Sequence, residues 1–221
     1  MKMLFVFKKS RALRFIGHLD LQRAMQRALR RSGLPASYSQ GFNPHIILSF
    51  AAPLAVGIIG EREIAEIPLA LPVSPHDFLH RMEKALPPGL IALEALPQPD
   101  DAPAAMARVF AAQYAFRPRA GEEAGFEQLT AALPDFLALE RIPYIRKTKS
   151  GERPDDLRPG IFNMLVKNGE LLAALSLNAR LTAKPDQVLL SLSETADIPV
   201  PNCDVRRLQL LDERFVPLEK P

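Results

Sequence analysis

Leu19-Asp20-Leu21-Gln22-Arg23-Ala24-Met25-Gln26-Arg27-Ala28-Leu29-Arg30-Arg31-Ser32-Gly33-Leu34-Pro35 is the stretch from which the fold can be read. At about 100° per residue, Leu21, Ala24, Met25, Ala28 and Leu29 gather on one side of a helix, with Asp20, Arg23, Arg27, Arg30 and Arg31 on the other. Gly33 suits the left-handed C′ position, Leu34 can fold back onto the last turn, and Pro35 cannot continue the helix. Upstream, Met3 to Lys8 alternates apolar residues with β-formers and predicts a strand. Downstream, His45 to Phe50 and Arg62 to Leu71 predict two more. Ser74-Pro75-His76-Asp77 opens a second helix, with a Ser cap and Pro in the first turn, running to about Leu86. Leu90 to Leu96 closes a β-α-β-β-α-β order, the pattern of a ferredoxin-like unit.

Pro97-Gln98-Pro99-Asp100-Asp101-Ala102-Pro103 then breaks the periodicity. Beyond it the order recurs. Val109 to Phe116 reads as a strand, Glu122 to Leu139 as helix interrupted near Pro134, and Ile142 to Lys149 as a strand. Ile161 to Lys167 and Glu170 to Leu177 flank Asn168-Gly169, a strong hairpin signal. A helix over Pro185 to Ser193 and a strand over Asp204 to Leu211 follow. The expectation is therefore an α+β protein of two tandem ferredoxin-like (βαββαβ) units: 1–97 carrying the site, a linker over 98–108, and 109–221. The doubling lies in element order, without a residue-level repeat.

A chain of 221 residues is natural for two such domains, and 48% apolar with 24% charged residues argues against wholesale disorder. No run of about eighteen apolar residues occurs, so no membrane span is expected. The lone Cys203 cannot form an internal disulfide, which points to the reducing cytoplasm. Net charge is +3 but uneven. Residues 1–50 hold nine basic side chains (Lys2, Lys8, Lys9, Arg11, Arg14, Arg23, Arg27, Arg30, Arg31) against Asp20 alone, while the remainder holds nineteen basic and twenty-four acidic. That asymmetry points to an anionic partner, nucleic acid above all; a solvated basic face is the plainer reading.

The densest chemistry is Arg14-Phe15-Ile16-Gly17-His18-Leu19-Asp20, followed by Tyr38-Ser39-Gln40-Gly41-Phe42-Asn43-Pro44-His45. The first run is a turn that delivers a helix, placing Gly17 and His18 near free backbone N–H groups that attract anions. Arg23, Arg27, Arg30 and Arg31 would extend that site along a phosphate backbone. The second run is a tight loop offering Tyr38 or Phe42 for base stacking and Asn43 for base-edge hydrogen bonds. A capped helix with a charged face plus a structured turn explains the same residues without a ligand. His18 and His45 are also candidates for acid–base chemistry, and the three residues His18, Asn43 and His45 are expected around one cleft. His76 and His80 have i, i+4 spacing but no third ligand nearby, so no metal and no cofactor is expected. No P-loop, GxGxxG or GxSxG occurs. A second basic cluster, Arg141, Arg146, Lys147, Lys149 and Arg153, reads equally as a lysine-protected edge strand.

These segments resemble the radical-SAM-linked proteins, a family of unknown function. The similarity runs through Arg14 to Asp20, Arg30-Arg31-Ser32-Gly33-Leu34-Pro35, Tyr38 to His45 and Ser49-Phe50-Ala51, to Leu54, Gly57 and Glu63. Members more often carry Ser at Gly17, and Pro-Lys where Ile46-Ile47 stands here. Asp156-Leu157-Arg158-Pro159 resembles a second, weaker motif. The resemblance implies a partner radical-SAM enzyme, encoded beside or fused ahead of the domain, often near genes for ribonuclease E/G and ribosomal proteins. One Cys cannot supply the three thiolates of such an enzyme's cluster, so radical chemistry belongs to another chain.

The function expected is a non-catalytic RNA-binding or substrate-presenting partner of that enzyme, with tRNA or rRNA as ligand. Its contact residues would be Arg14, His18, Arg23, Arg27, Arg30, Arg31, Tyr38, Ser39, Gln40, Gly41, Phe42, Asn43 and His45. Two alternatives stand beside it: a metal-independent RNA-processing enzyme using His18, by analogy with tandem ferredoxin-like endoribonucleases, and a protein-docking domain whose basic face meets an acidic partner.

Overall fold

The computed structural model describes residues 1–148, 151–178 and 180–220, without the side chains of Lys147 and Thr148. The chain divides into two compact units, Met1–Val109 with Arg207–Pro221, and Phe110–Arg206. The expected boundaries, 1–97 and 109–221, differ from this division chiefly in the last fifteen residues, which return to the first unit.

The first unit contains β1 (Lys2–Lys9), α1 (His18–Ser32), β2 (Ser49–Phe50), β3 (Ile59–Pro68), α2 (Pro75–Ala85), β4 (Leu90–Gln98) and the short α3 (Ala105–Arg108). β1 is central, antiparallel to β3 on one side and β4 on the other, and β2 pairs antiparallel with β3. Being central, β1 is buried from Met3 to Phe7 without interruption. Met3, Phe5 and Phe7 join Leu21, Met25, Ala28 and Leu29 of α1 and Phe78, Met82 and Ala85 of α2 in one core. Phe5 stacks on Phe7 at 5.7 Å and meets Phe78 edge-on at 5.5 Å. Aromatic pairs of this kind add about 0.5–1.5 kcal/mol beyond burial.

Both helix ends behave as their residues predict. Gly33 takes φ 65° and Leu34 is buried behind it. Ser74 caps α2 by accepting from Asp77 N at 3.1 Å. Two strands depart from expectation. Of His45–Phe50 only Ser49–Phe50 pairs as a strand, because Ile46 O accepts from the Gln26 side chain on α1 and Ile47 N donates back to Ser37 O. β4 continues through Pro97 into the expected linker, which it can do as an edge strand where no partner needs the missing N–H. The remaining linker contains α3, whose first N–H, that of Ala105, is capped by the buried Glu66 at 3.0 Å.

The second unit contains β5 (Ala111–Pro118), α4 (Glu123–Ala131), α5 (Leu133–Ala138), β6 (Pro143–Thr148), β7 (Gly151–Asp156), β8 (Ile161–Lys167), β9 (Glu170–Ser176), α6 (Pro185–Ala196) and the start of β10 (Cys203–Leu211). Its strand order is β10-β5-β9-β8. The β8–β9 turn has Asn168 at φ 52° and Gly169 at φ 73°, the two left-handed residues of a type I′ hairpin. β6 lies where a strand was expected, but it is not on the sheet. Among the described residues it pairs only with β7, as a separate two-stranded ribbon. Lys149, part of the second basic cluster, lies outside the described residues.

Candidate functional site

The turn between β1 and α1 rests on buried charge. Lys9, Glu63 and Arg207, all in the first unit, are 1%, 3% and 1% exposed. Arg207 grips the Glu63 carboxylate through two nitrogens, its Nε donating to Oε1 at 2.9 Å and its Nη2 to Oε2. The same guanidinium donates to Pro53 O and Ala52 O, each at 3.0 Å. The Lys9 ammonium reaches Arg14 O and Ile16 O at 3.5 Å, and Gly57 N donates to Arg14 O at 2.7 Å. Burial holds the Lys9 amine below its ordinary value; Glu63 opposes that shift and Arg207 adds to it. A network of two cations and one carboxylate therefore fixes two turns, 14–17 and 52–57, beside each other. Gly60 makes room for it, since a Cβ there would stand 2.8 Å from Glu63 Oε1. Leu54, Gly57 and Glu63, isolated residues in the sequence, belong to this one assembly.

On that platform Arg14 donates to Arg11 O at 2.9 Å and lays its guanidinium 4.3 Å over the exposed Phe15 ring. Gly17 is the N-cap of α1 and supplies no side-chain cap. His18 lies in the first helical position, exposed, its ring edge-on to Phe50 at 5.4 Å. Asp20 already places a carboxylate in the first turn, where the helix dipole favours one. That weakens the case for an anion at the N-terminus.

Arg23, Arg27, Arg30 and Arg31 all lie on the solvent side of α1. Arg23 lies 3.5 Å from Asp20. Arg31 is engaged structurally. It donates to Ala85 O at the end of α2 at 2.5 Å, while Arg81 of α2 donates to Gly33 O at the end of α1 at 3.3 Å. The two helices thus cap each other's C-termini with guanidinium groups. Arg27 and Arg30 have no part in this capping.

The 38–45 loop is closed by three bonds between Ser39 and His45. Ser39 N donates to His45 O at 2.9 Å, His45 N donates to Ser39 Oγ at 3.1 Å, and Ser39 Oγ lies 2.9 Å from His45 Nδ1. Between them Gln40, Gly41, Phe42, Asn43 and Pro44 are exposed, Phe42 completely, and Tyr38 is half exposed. Gly41 holds φ 121°, a value that suits glycine. The loop end is anchored by Gln26, eight residues and about 12 Å along α1 from His18, taking about 1.5 Å per residue. Gln26 holds Ile46 O, whereas His45 is bonded to Ser39 and the His18 ring meets Phe50.

Lys9 and Arg207 do not stand out as site residues in the sequence. Lys9 reads as one more basic surface residue, and Arg207 is 144 positions from its partner Glu63. Among the described residues no three His, Cys, Asp or Glu groups converge on a metal position, and His76 and His80 stack at 6.4 Å. The Cys203 thiol is pushed up to about 11, by burial first and by Glu122 and Asp204, with Arg119 opposing. It stays protonated at neutral pH. No described helix is long and apolar enough to cross a membrane.

What fold and site define is an α+β protein with an arginine-lined helix face and an aromatic loop, seated on a buried ionic network. The chain belongs to the family described as uncharacterized protein conserved in bacteria (DUF2344), whose model matches residues 2–189. No curated protein matches it.

Proposed function

We propose that this protein is a non-catalytic RNA-binding subunit of the cytoplasm that presents tRNA or rRNA to a radical-SAM enzyme on a separate chain. The observation that carries the reading is the outer face of α1, where Arg27 and Arg30 stand beside Arg23 and Arg31. A phosphate backbone supplies the charge such a row lacks. The aromatic loop adds to it: Phe42 is held wholly in solvent on a loop closed by Ser39 and His45, and a flat exposed ring is a stacking platform for an unpaired base. Arg14, His18, Gln40, Gly41 and Asn43 line the same two segments. The partnership with a radical-SAM enzyme rests on the sequence resemblance.

We also read the two units as tandem ferredoxin-like folds. Setting aside the end of β10, which falls in the first unit, and counting sheet strands in chain order, the first unit runs 4-1-3-2 (β4-β1-β3-β2). The second, over β10-β5-β9-β8, runs 4-1-3-2 again.

An RNA-processing role for His18 has less support, since its ring leans on Phe50 and His45 is tied to Ser39. The test is purification of the native protein with sequencing of bound nucleic acid. Enrichment of tRNA or rRNA supports the proposal. A folded protein that carries none, and binds neither at low salt, would point to the protein-docking alternative.

A further inference from the structure

The β6–β7 ribbon is built in an unusual way. Pairing of Arg146 with Arg153 and of Tyr144 with Asp155 puts these four on one face, since directly opposed residues of an antiparallel pair share a face. Two arginines are thus cross-strand neighbours, an arrangement that like charge disfavours. One carboxylate on that face answers them, Asp155, which lies 3.3 Å from Arg146. The other face carries Ile145, half exposed, opposite Pro154. A lone two-stranded hairpin is marginal in water. Along its length β7 is exposed or half-exposed, and among the described residues no further strand pairs with the ribbon.

Its base, by contrast, is heavily fastened, and by the motif Asp156-Leu157-Arg158-Pro159. Asp156 Oδ1 accepts from Ile142 N at 2.8 Å and Arg158 N at 3.0 Å. Leu157 is fully buried and its N–H donates to Ile142 O at 2.9 Å. The Arg158 guanidinium donates to Leu139 O, Leu137 O and Ile161 O at 3.1–3.2 Å.

We propose that the β6–β7 ribbon is a second RNA-contacting arm, in which Arg146 and Arg153 together grip a backbone phosphate and Tyr144 donates to it from the same face. This rests on the RNA-binding reading of α1. A phosphate between the two guanidinium groups removes their repulsion and satisfies both forks. Tyr144 suits the part because its hydroxyl stays protonated: burial raises it, as does Asp155, while Arg146 and Arg153 oppose. Face-sharing of two arginines with an aromatic hydroxyl favours a phosphodiester over an acidic protein, whose carboxylates Asp155 already supplies.

The test is a titration of fluorescently labelled unfractionated tRNA at several ionic strengths with the full-length wild type, Arg146→Ser/Arg153→Ser and Arg146→Lys/Arg153→Lys. The serine variant should bind more weakly and lower the slope of log K against log salt by roughly one for each phosphate no longer gripped. The lysine variant should restore the slope but not the full affinity, since charge returns without the fork. Circular dichroism confirms folding. Wild-type binding with an unchanged slope in the serine variant would overturn the arm and leave the α1 reading standing. A wild type that binds no tRNA at low salt would overturn both.

Discussion

Replacing Glu63 by Leu removes the carboxylate of the buried Lys9–Glu63–Arg207 network. Arg207, 1% exposed, would keep its bonds to Ala52 O and Pro53 O but lose its counterion. Breaking a buried pair by removing one partner costs about 3–5 kcal/mol, a large part of the roughly 5–15 kcal/mol that holds a typical protein folded. At about 2 kcal/mol per molar urea, a loss of about 4 kcal/mol lowers the unfolding midpoint by about 2 M. The assay is urea unfolding followed by circular dichroism. The double variant Glu63→Leu/Arg207→Met should recover most of the loss, because the stranded charge goes with its partner. A midpoint within about 0.3 M of wild type for the single variant, equivalent to under about 1 kcal/mol, would refute the reasoning.

Gly60→Ala should lower stability by about 1–3 kcal/mol through collision with the Glu63 side chain, read in the same unfolding assay; an unchanged midpoint would mean the strand yields freely. Phe42→Leu should leave stability unchanged, because the ring is wholly exposed, yet weaken RNA binding by about 1–3 kcal/mol without altering the salt slope. Lys9 titrates below its ordinary 10.5 because burial penalises the ammonium. Between the lowered folded value and 10.5 the unfolded chain holds more protons, so this group's contribution to stability rises with pH across that window. Lys9→Met should flatten that rise in unfolding curves taken at increasing alkaline pH, and parallel curves for both proteins would contradict it.

Local chemistry made much of the fold legible. The apolar stripe of α1, the Ser74 cap and the Asn168-Gly169 turn each depend on neighbouring residues, and each appears where its residues direct. What was hidden depends on distance or on a partner. Gly151-Glu152-Arg153-Pro154-Asp155-Asp156 contains no β-branched or aromatic residue, and it is a strand only because β6 lies opposite. Ile46 and Ile47 are good β-formers, but a glutamine from α1 and a carbonyl at Ser37 take their backbone groups. In the site, the α1 arginines and the 38–45 loop could be named from sequence because charge and turn chemistry mark them. The ionic platform beneath could not, since Lys9 and Arg207 look like surface cations until both are found buried in the field of Glu63.

The central claim is that the outer face of α1 holds a phosphate backbone. Arg27→Ser/Arg30→Ser tests it most directly, because neither side chain serves the α1–α2 capping that occupies Arg31. Labelled tRNA would be titrated with the wild type and this variant across a series of salt concentrations, with circular dichroism to establish that both are folded. We expect a slope of log K against log salt less steep by roughly two in the variant, with weaker binding at every salt concentration. Equal slopes and equal affinities in two folded proteins would contradict the claim.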